Sequence, residues 1–525
     1  MTRLTAILTA LVAVTISAAA LADEGEAADR VYWTNLATTS SISYANLDGS
    51  GEGGTLDSTG ATPANAEGMA FAMAQNRVYW AGGGKISYTD LSGGGGGDLN
   101  TGAAPIGNAK GVAIDPVAGL VYWADTSPPG ISFARLDGSG GGALNTTGAT
   151  VGSPIGLAVD PAGGRIYWSN AGTGGKISYA SLDGSGGGDI NTGLANVDNP
   201  QGVALDLAAG RIYWASVYGQ TISYANLDGS GGGDLNTLGA TVSNPVGVAV
   251  DAAAGRIYWG NVIGTKVSYA NLDGSGGADL TTTGATVNGP SYPTVVKAPV
   301  GTGAPRITAT AQGLSCSPGS WAADLVASFV YRSPASFAYR WSVGATVIPG
   351  ATSSTYAPVT TVDAEYRCVV TATNPAGSAT QTSAPHLFKA PQPIRGPVLT
   401  GLAIRPRAFL VTGKHPGATV RFALDEAATV TFKVQRQLPG RAGKGACVKP
   451  KRSNRDKPKC TRPLGVPGTF SRAGAAGENS FRFNGRVQGR RLKPGKYKLR
   501  ATPIAESRTG LTVAAFFRVK RPPAR

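Results

Sequence analysis

The chain is predicted to be all-β: a six-bladed β-propeller followed by two C-terminal β-sandwich domains. Three observations predict this. Six Tyr-Trp pairs recur through the first half, at Tyr32-Trp33, Tyr79-Trp80, Tyr122-Trp123, Tyr167-Trp168, Tyr213-Trp214 and Tyr258-Trp259, with Trp-to-Trp steps of 47, 43, 45, 46 and 45 residues. A period of about 40–45 residues is that of a four-stranded propeller blade. Aspartate-glycine turns punctuate five of the six repeats, and all four cysteines follow the last one. At 525 residues, the chain is long enough for several domains.

Residues 1–22 have the pattern of a secretory signal. Arg3 supplies a positive n-region, Leu4 to Ile16 an apolar stretch, and Ala20-Leu21-Ala22 a small-residue cleavage site. The alternative is that this segment is retained as an anchor. No later stretch is apolar enough to form a membrane-spanning helix. The expected location is secreted, extracellular or at the cell surface.

Each repeat contains four strand-sized pieces. In one unit, Ile155 to Asp160 is an apolar, β-branched inner strand and Arg165 to Trp168 the second. Lys176 to Leu182 alternates apolar and polar as a third, residues 183–188 (Asp-Gly-Ser-Gly-Gly-Gly) turn, and Asp189 to Thr192 forms a short outer strand. The first unit lacks an inner strand, and the last repeat is followed by a spare one, Gly289 to Lys297. That segment is expected to complete the first blade, closing the ring and removing open sheet edges. The Tyr-Trp residues and the later aromatics Tyr44, Tyr88, Phe133, Tyr179, Tyr224 and Tyr269 are expected to pack between neighbouring blades.

The motifs Gly111-Val112-Ala113-Ile114-Asp115-Pro116, Tyr122-Trp123-Ala124-Asp125 and Arg135-Leu136-Asp137-Gly138 recur in order. In this respect residues 29–297 resemble the YWTD propeller, the low-density lipoprotein receptor class B repeat. The resemblance implies six blades and a habit of binding proteins. It also implies an acidic tie after Tyr-Trp, but that position carries Asn35, Gly82, Asp125, Asn170, Ser216 and Asn261 here. The tie must therefore be made by Asn or Ser, or be missing.

Candidate chemistry in the propeller is sparse. Both histidines, His386 and His415, lie beyond it, which argues against chemistry that needs histidine as base or ligand. The Asp-Gly-rich turns lack calcium-loop spacing. No catalytic residue, metal or cofactor is predicted, and the protein is read as a non-enzyme. Variable residues just before each inner-strand glycine are the ligand-binding candidates: Glu67, Lys110, Ile155, Gln201 and Val246, with Ser291 or Tyr292 near the closing position, expected to ring one mouth of the central channel.

A Gly/Pro/Thr linker, residues 297–305, leads to a region in which Cys316, Trp341 and Cys368 are spaced by 25 and 27 residues. With Tyr366 two residues before the second cysteine, residues 306–386 look like an immunoglobulin-like sandwich. Asn374 to Gly377 resembles the hairpin of bacterial surface modules of that kind. A second Pro-rich linker, residues 390–397, precedes a basic domain at 398–525, where Leu492 to Arg500 resembles a late strand of fibronectin-type sandwiches. Four cysteines allow three pairings; proximity favours Cys316–Cys368 and Cys447–Cys460.

Net charge is +16, but residues 23–297 carry −12 and residues 398–525 carry +24. The Cys447–Cys460 loop would hold Lys449, Lys451, Arg452, Arg455, Lys457 and Lys459 against the single acid Asp456. These six are the candidate contacts for an anionic cell-envelope polymer, the alternative being a merely solvated basic loop. The loop lacks the aromatic interleaving of single-strand binders, so nucleic acid is not an expected partner. The sequence thus predicts an exported bacterial surface or secreted protein. Its propeller would bind protein or glycan, its immunoglobulin-like domain would act as a spacer, and its basic domain would contact the envelope. The alternatives are an extracellular propeller enzyme acting on carbohydrate or peptide, or a pure spacer.

Overall fold

The computed structural model describes residues 28–36, 41–50, 52–62, 65–93, 95–360, 362–390, 395–413, 415–443 and 445–522. The predicted signal lies outside them. Among the described residues no helix is long and apolar enough to cross a membrane. The chain divides into two compact units, one ending at Ala390 and one beginning at Pro391.

The first unit is built on six antiparallel blades. A representative blade runs Pro154–Asp160, Arg165–Asn170, Lys176–Ser181 and Gly187–Asp189 from the axis outward. The first blade is completed by the far end of the repeats. Pro290–Val296 pairs antiparallel with Arg30–Asn35, so the ring closes with an inner strand from residues some 260 positions away in sequence. Closure gives the first blade the inner strand it would otherwise lack, and the edges that remain on each blade are short.

The outer strand differs from expectation. It begins at Gly187, inside the presumed turn, and ends at Asp189. Gly187 and Gly188 pair with Ala180 and Tyr179, and the Tyr179 ring covers Gly188. A Cβ on Gly188 would lie 3.1 Å from Tyr179 Oη, so the glycines are strand residues kept bare to admit the ring.

The aromatics also divide their work. The six blade tryptophans are fully buried, and all of them except Trp80 donate Nε1 to a carbonyl of a connecting segment. Trp123 reaches Pro105 O at 3.1 Å, Trp168 reaches Thr150 O at 3.0 Å, and Trp259 reaches Thr241 O at 2.9 Å. Trp33 makes the same bond to Thr286 O across the closure at 3.0 Å. The third-strand aromatics are half-buried within their own blade rather than sealed between blades. Tyr179 lies 6.0 Å from Tyr167, with the Arg165 guanidinium 4.8 Å over its ring. Such a cation over a ring face adds electrostatic attraction to packing.

Asparagine replaces the tie that the resemblance calls acidic. Asn170 Oδ1 accepts from Gly152 N at 3.0 Å while its Nδ2 donates to Ser178 Oγ at 3.0 Å. Asn35 and Asn261 repeat the arrangement with Asn288 N and Ser243 N. Asp125, the one acid at this position, accepts from Gly107, Asn108 and Ser127 N. Ser216 instead donates to Asn196 O.

The rest of the first unit is a disulfide-linked pair of small sheets. Ile307–Thr310, Gly313–Cys316 and Thr355–Tyr356 form one; Ser336–Val343, Ala364–Asn374 and Gly377–Thr382 form the body of the other. Cys316–Cys368 joins them, and Trp341 is buried in the cluster around that bridge. Residues 297–305 are not a free linker. Gly301–Gly303 pairs with Ser320–Trp321, Lys297 is held by carboxylates, and Asn374 Nδ2 donates to Lys297 O at 2.8 Å.

These sheets also pack against the propeller. The helical turn Val326–Ser328 packs on the inner strands of four blades, and Ser328 Oγ donates to Leu205 O. Val330–Tyr331 then pairs in parallel with Val295 and Val296, adding a fifth strand to the first blade. Tyr331 is fully buried, its ring 5.3 Å from that of Phe71. The apolar run Val326 to Tyr331 is buried only because the propeller core receives it.

The second unit is a sandwich with its own core. Leu399–Arg405, Ala418–Leu424 and Gly477–Phe483 form one sheet. The larger sheet centres on Val513–Val519, Gly495–Ala505, Ala428–Ala442 and Lys459–Gly474. Phe432, Phe470, Phe483, Phe517 and Tyr497 interlock between the sheets. Part of the Pro-rich segment at 390–397 lies outside the described residues.

Candidate functional site

The inner strands converge on the axis through glycines. A Cβ on Gly156 would sit 2.2 Å from the Gly202 Cα, one on Gly202 would sit 2.6 Å from the Gly247 Cα, and one on Gly247 would sit 2.4 Å from the Tyr292 Cα. Only bare backbone fits this close approach. Glu67, Lys110, Ile155, Gln201 and Val246 each immediately precede a glycine of this ring, whereas Tyr292 occupies a ring position itself, its equivalent of Val246 being Ser291.

The channel mouth at these positions is filled by its own side chains. Tyr292, at φ +46°, is 9 % exposed and clusters with Val217 and Val246, against which Ile155 and Val262 pack. Glu67 and Lys110 form an ion pair on the remaining side, each only about a fifth exposed. Gln201 donates to Asn199 O at 3.5 Å. Burial pushes the Glu67 carboxyl up despite Lys110. Burial, helped by the Glu67 charge, raises the Tyr292 phenol well above its ordinary value. Below the ring, Phe329 of the second domain meets Tyr292 across a residual cavity of about 10 Å³, room for no more than about one water molecule.

The opposite face holds a larger groove, about 710 Å³, between the turns after the inner strands and residues 323–334. Asp115, Asp160, Asp206 and Asp324 line it, but each accepts backbone N–H bonds within its own turn or loop. They are turn-forming acids first. Among the described residues, no group of three or more His, Cys, Asp or Glu is placed to hold a metal ion.

In the second unit, Cys447 pairs with Cys460. Lys449, Lys451, Arg452, Lys457 and Lys459 are exposed and Arg455 is too, splayed around a short turn at Arg452–Asn454. Asn454 organises that turn by accepting from Lys451 N at 2.7 Å and donating to Lys449 O at 3.0 Å. Lys459 already belongs to a strand.

A second cationic cluster escaped sequence reading. Lys496, Lys498 and Arg500 alternate along Gly495–Ala505 with the buried Tyr497 and Leu499. In register, Arg500 faces Lys433, and Lys496 faces Arg518. The signal was present as the period-two run 496–500; its neighbours in space were not.

No family model and no curated protein matches this sequence. Among solved structures, the chain is similar to one in a nidogen/laminin complex, at 18 % identity and TM-score 0.41, covering 51 % of this chain and 98 % of that one. A putative TolB from Agrobacterium tumefaciens is 15 % identical at TM-score 0.35, covering 51 % and 92 %. Kuenenia stuttgartiensis hydrazine synthase is 13 % identical at TM-score 0.34, covering 44 % and 71 %. Likenesses at these scores carry no argument about activity; the propeller stands on its own blades and closure.

Proposed function

We propose that the chain is an exported, non-enzymatic protein of the cell surface or its surroundings, whose basic domain contacts an anionic polymer of the envelope. The observation that carries this is charge segregation: −12 over residues 23–297 and +24 over residues 398–525. Within the basic domain, ion pairs among the described residues are confined to Arg508 with Glu426 and Glu506. The other cations build a field that attracts polyanions. Two disulfides accord with an oxidising compartment.

The propeller is the interaction module in this reading, offering a face rather than a channel to a protein or glycan. Tyr218 and Ile263, 65 % and 67 % exposed, stand next to Val217 and Val262 at the filled mouth and give that face an apolar rim.

Co-sedimentation of the full-length protein with bacterial envelope preparations tests the reading. The bound fraction should be high at low salt and fall as salt rises. A low-salt pellet no richer in protein than the buffer control overturns it. Release of soluble fragments from the polymer by the same protein would restore an enzymatic reading.

A further inference from the structure

We propose that the outer face of the large sheet in the C-terminal unit, rather than the disulfide loop, is the polyanion site, and that its ligand is an acidic polysaccharide. This rests on the polymer-binding reading above and adds where the polymer lies and of what class it is.

The face is defined by strand alternation. Tyr497, Leu499, Ala501, Phe517 and Val519 point into the core, so Lys496, Lys498, Arg500, Phe516 and Arg518 point outward. Register sets them in three rows. Ala514, Arg500 and Lys433 form one; Phe516, Lys498 and Gln435 the next; Arg518, Lys496 and Gln437 the third. Neighbouring strands lie about 4.8 Å apart and same-face residues about 7 Å apart along a strand, so five cations share a patch roughly 15 Å across. No acid occupies any row, and none of the five takes part in an ion pair among the described residues.

Such an arrangement costs stability. Like charges directly opposite one another repel, and this face has two such pairs, Lys433 with Arg500 and Lys496 with Arg518. An external polyanion relieves both. The loop cations, by contrast, sit in no common sheet register: Lys449 to Lys457 lie in the connection around the turn at Arg452–Asn454, and only Lys459 belongs to a strand.

The remaining features of the face suit a sugar chain. Phe516 is 62 % exposed on the middle row, with Lys498 Nζ 5.6 Å from its centroid. It offers a flat apolar surface to one face of a sugar ring. Gln435, across Lys498 on the same row, and Gln437 on the next supply hydrogen-bond donors and acceptors for hydroxyls. A groove of about 450 Å³ runs from Phe516 past Lys496 and Arg518 to Arg407, with no acid along it. Single-stranded nucleic acid would call for aromatics under successive bases; this face has one.

The test uses the full-length protein and three probes at low salt: polygalacturonate, polyphosphate and an oligothymidylate. Two variants remove equal charge, Lys496→Gln/Lys498→Gln/Arg500→Gln on the face and Lys449→Gln/Lys451→Gln/Arg452→Gln on the loop. All six side chains are on the surface, and unchanged melting temperatures check folding. The face variant should lose about tenfold or more in polygalacturonate affinity and flatten its salt dependence by about two to three counterions. The loop variant should lose less than about threefold. Phe516→Ala should weaken polygalacturonate by about fivefold and leave polyphosphate, which has no ring, unchanged. Equal losses in the two charge variants overturn the face while sparing the polymer-binding reading. Failure of the wild type to bind any probe removes both. Oligothymidylate binding tighter than polygalacturonate, or a Phe516→Ala loss shared by polyphosphate, overturns the polysaccharide.

Discussion

Lys297 Nζ lies 2.7 Å from Asp251 Oδ2, joining the strand that closes the ring to the inner strand of the last blade. Asp29 sits 3.2 Å away on the other side of the same ammonium, so one lysine ties the first residues of the propeller to its last. The Asp251 side chain is only 2 % exposed, and its other oxygen accepts from Ala254 N in its own turn.

Removing that lysine leaves a buried carboxylate without its cation. Lys297→Met is expected to cost about 2–4 kcal/mol in chemical denaturation. Desolvation pulls the Lys297 pKa down, but the Asp251 and Asp29 contacts outweigh it and hold it above its ordinary value. A raised folded pKa means the stabilisation is present below the unfolded value of about 10.5 and is lost as pH climbs through the folded one. The wild-type advantage over Lys297→Met should therefore shrink only in the strongly alkaline range, as read by melting temperature against pH.

Asp189 behaves with the opposite sign. Burial would raise its pKa, but Lys176, Ser178 and Thr150 together hold it down at about 2. Stability from this group is present above about pH 4 and is lost as pH falls through about 2. Because the site is partly solvent-screened, Asp189→Asn should cost only about 1 kcal/mol at neutral pH. The difference between wild type and variant should vanish near pH 2; a difference constant from pH 5 to pH 2 would contradict the assignment.

The axial glycines give a sharp contrast between two alanine substitutions. In Gly156→Ala the new Cβ would meet the Gly202 Cα at 2.2 Å, whereas around Gly152 nothing lies within 4 Å. Gly156→Ala should destabilise by about 3 kcal/mol through forced separation of the inner strands. Gly152→Ala should stay within about 0.5 kcal/mol of wild type. Urea denaturation of the pair decides whether the axis is as tightly closed as described.

Tyr331 couples the second domain to the propeller. Tyr331→Ala removes a buried ring packed on Phe71 and should cost about 3–5 kcal/mol. Calorimetry should show the first unit of the wild type unfolding in one transition and the variant in two. A single, merely shifted transition would mean that other contacts suffice to couple them.

The repeat was legible because each blade restates the same apolar and turn positions, and the spare strand at 290–296 was visible as a surplus. The outer glycines were misread as turn because their strand character depends on a ring lying across them. The segment at 326–331 was unreadable for a different reason. It has no repeat, and its partners Val295 and Val296 are apolar core in any case. Of the candidate mouth, the position was legible from variation among equivalent residues, but its filling by Tyr292 depends on a backbone conformation that sequence spacing does not report.

By itself, then, the sequence determined the blades, their number, the closing strand and the charge of each region, since these follow from local periodicity and composition. Tertiary structure alone decided that the channel is plugged from both ends, that the second domain packs against the propeller, and which cations share a face. Those outcomes depend on strand register and on contacts between segments distant in sequence. A five-residue alternation can place Lys496, Lys498 and Arg500 on one side of a strand; only the sheet sets Lys433 and Arg518 beside them.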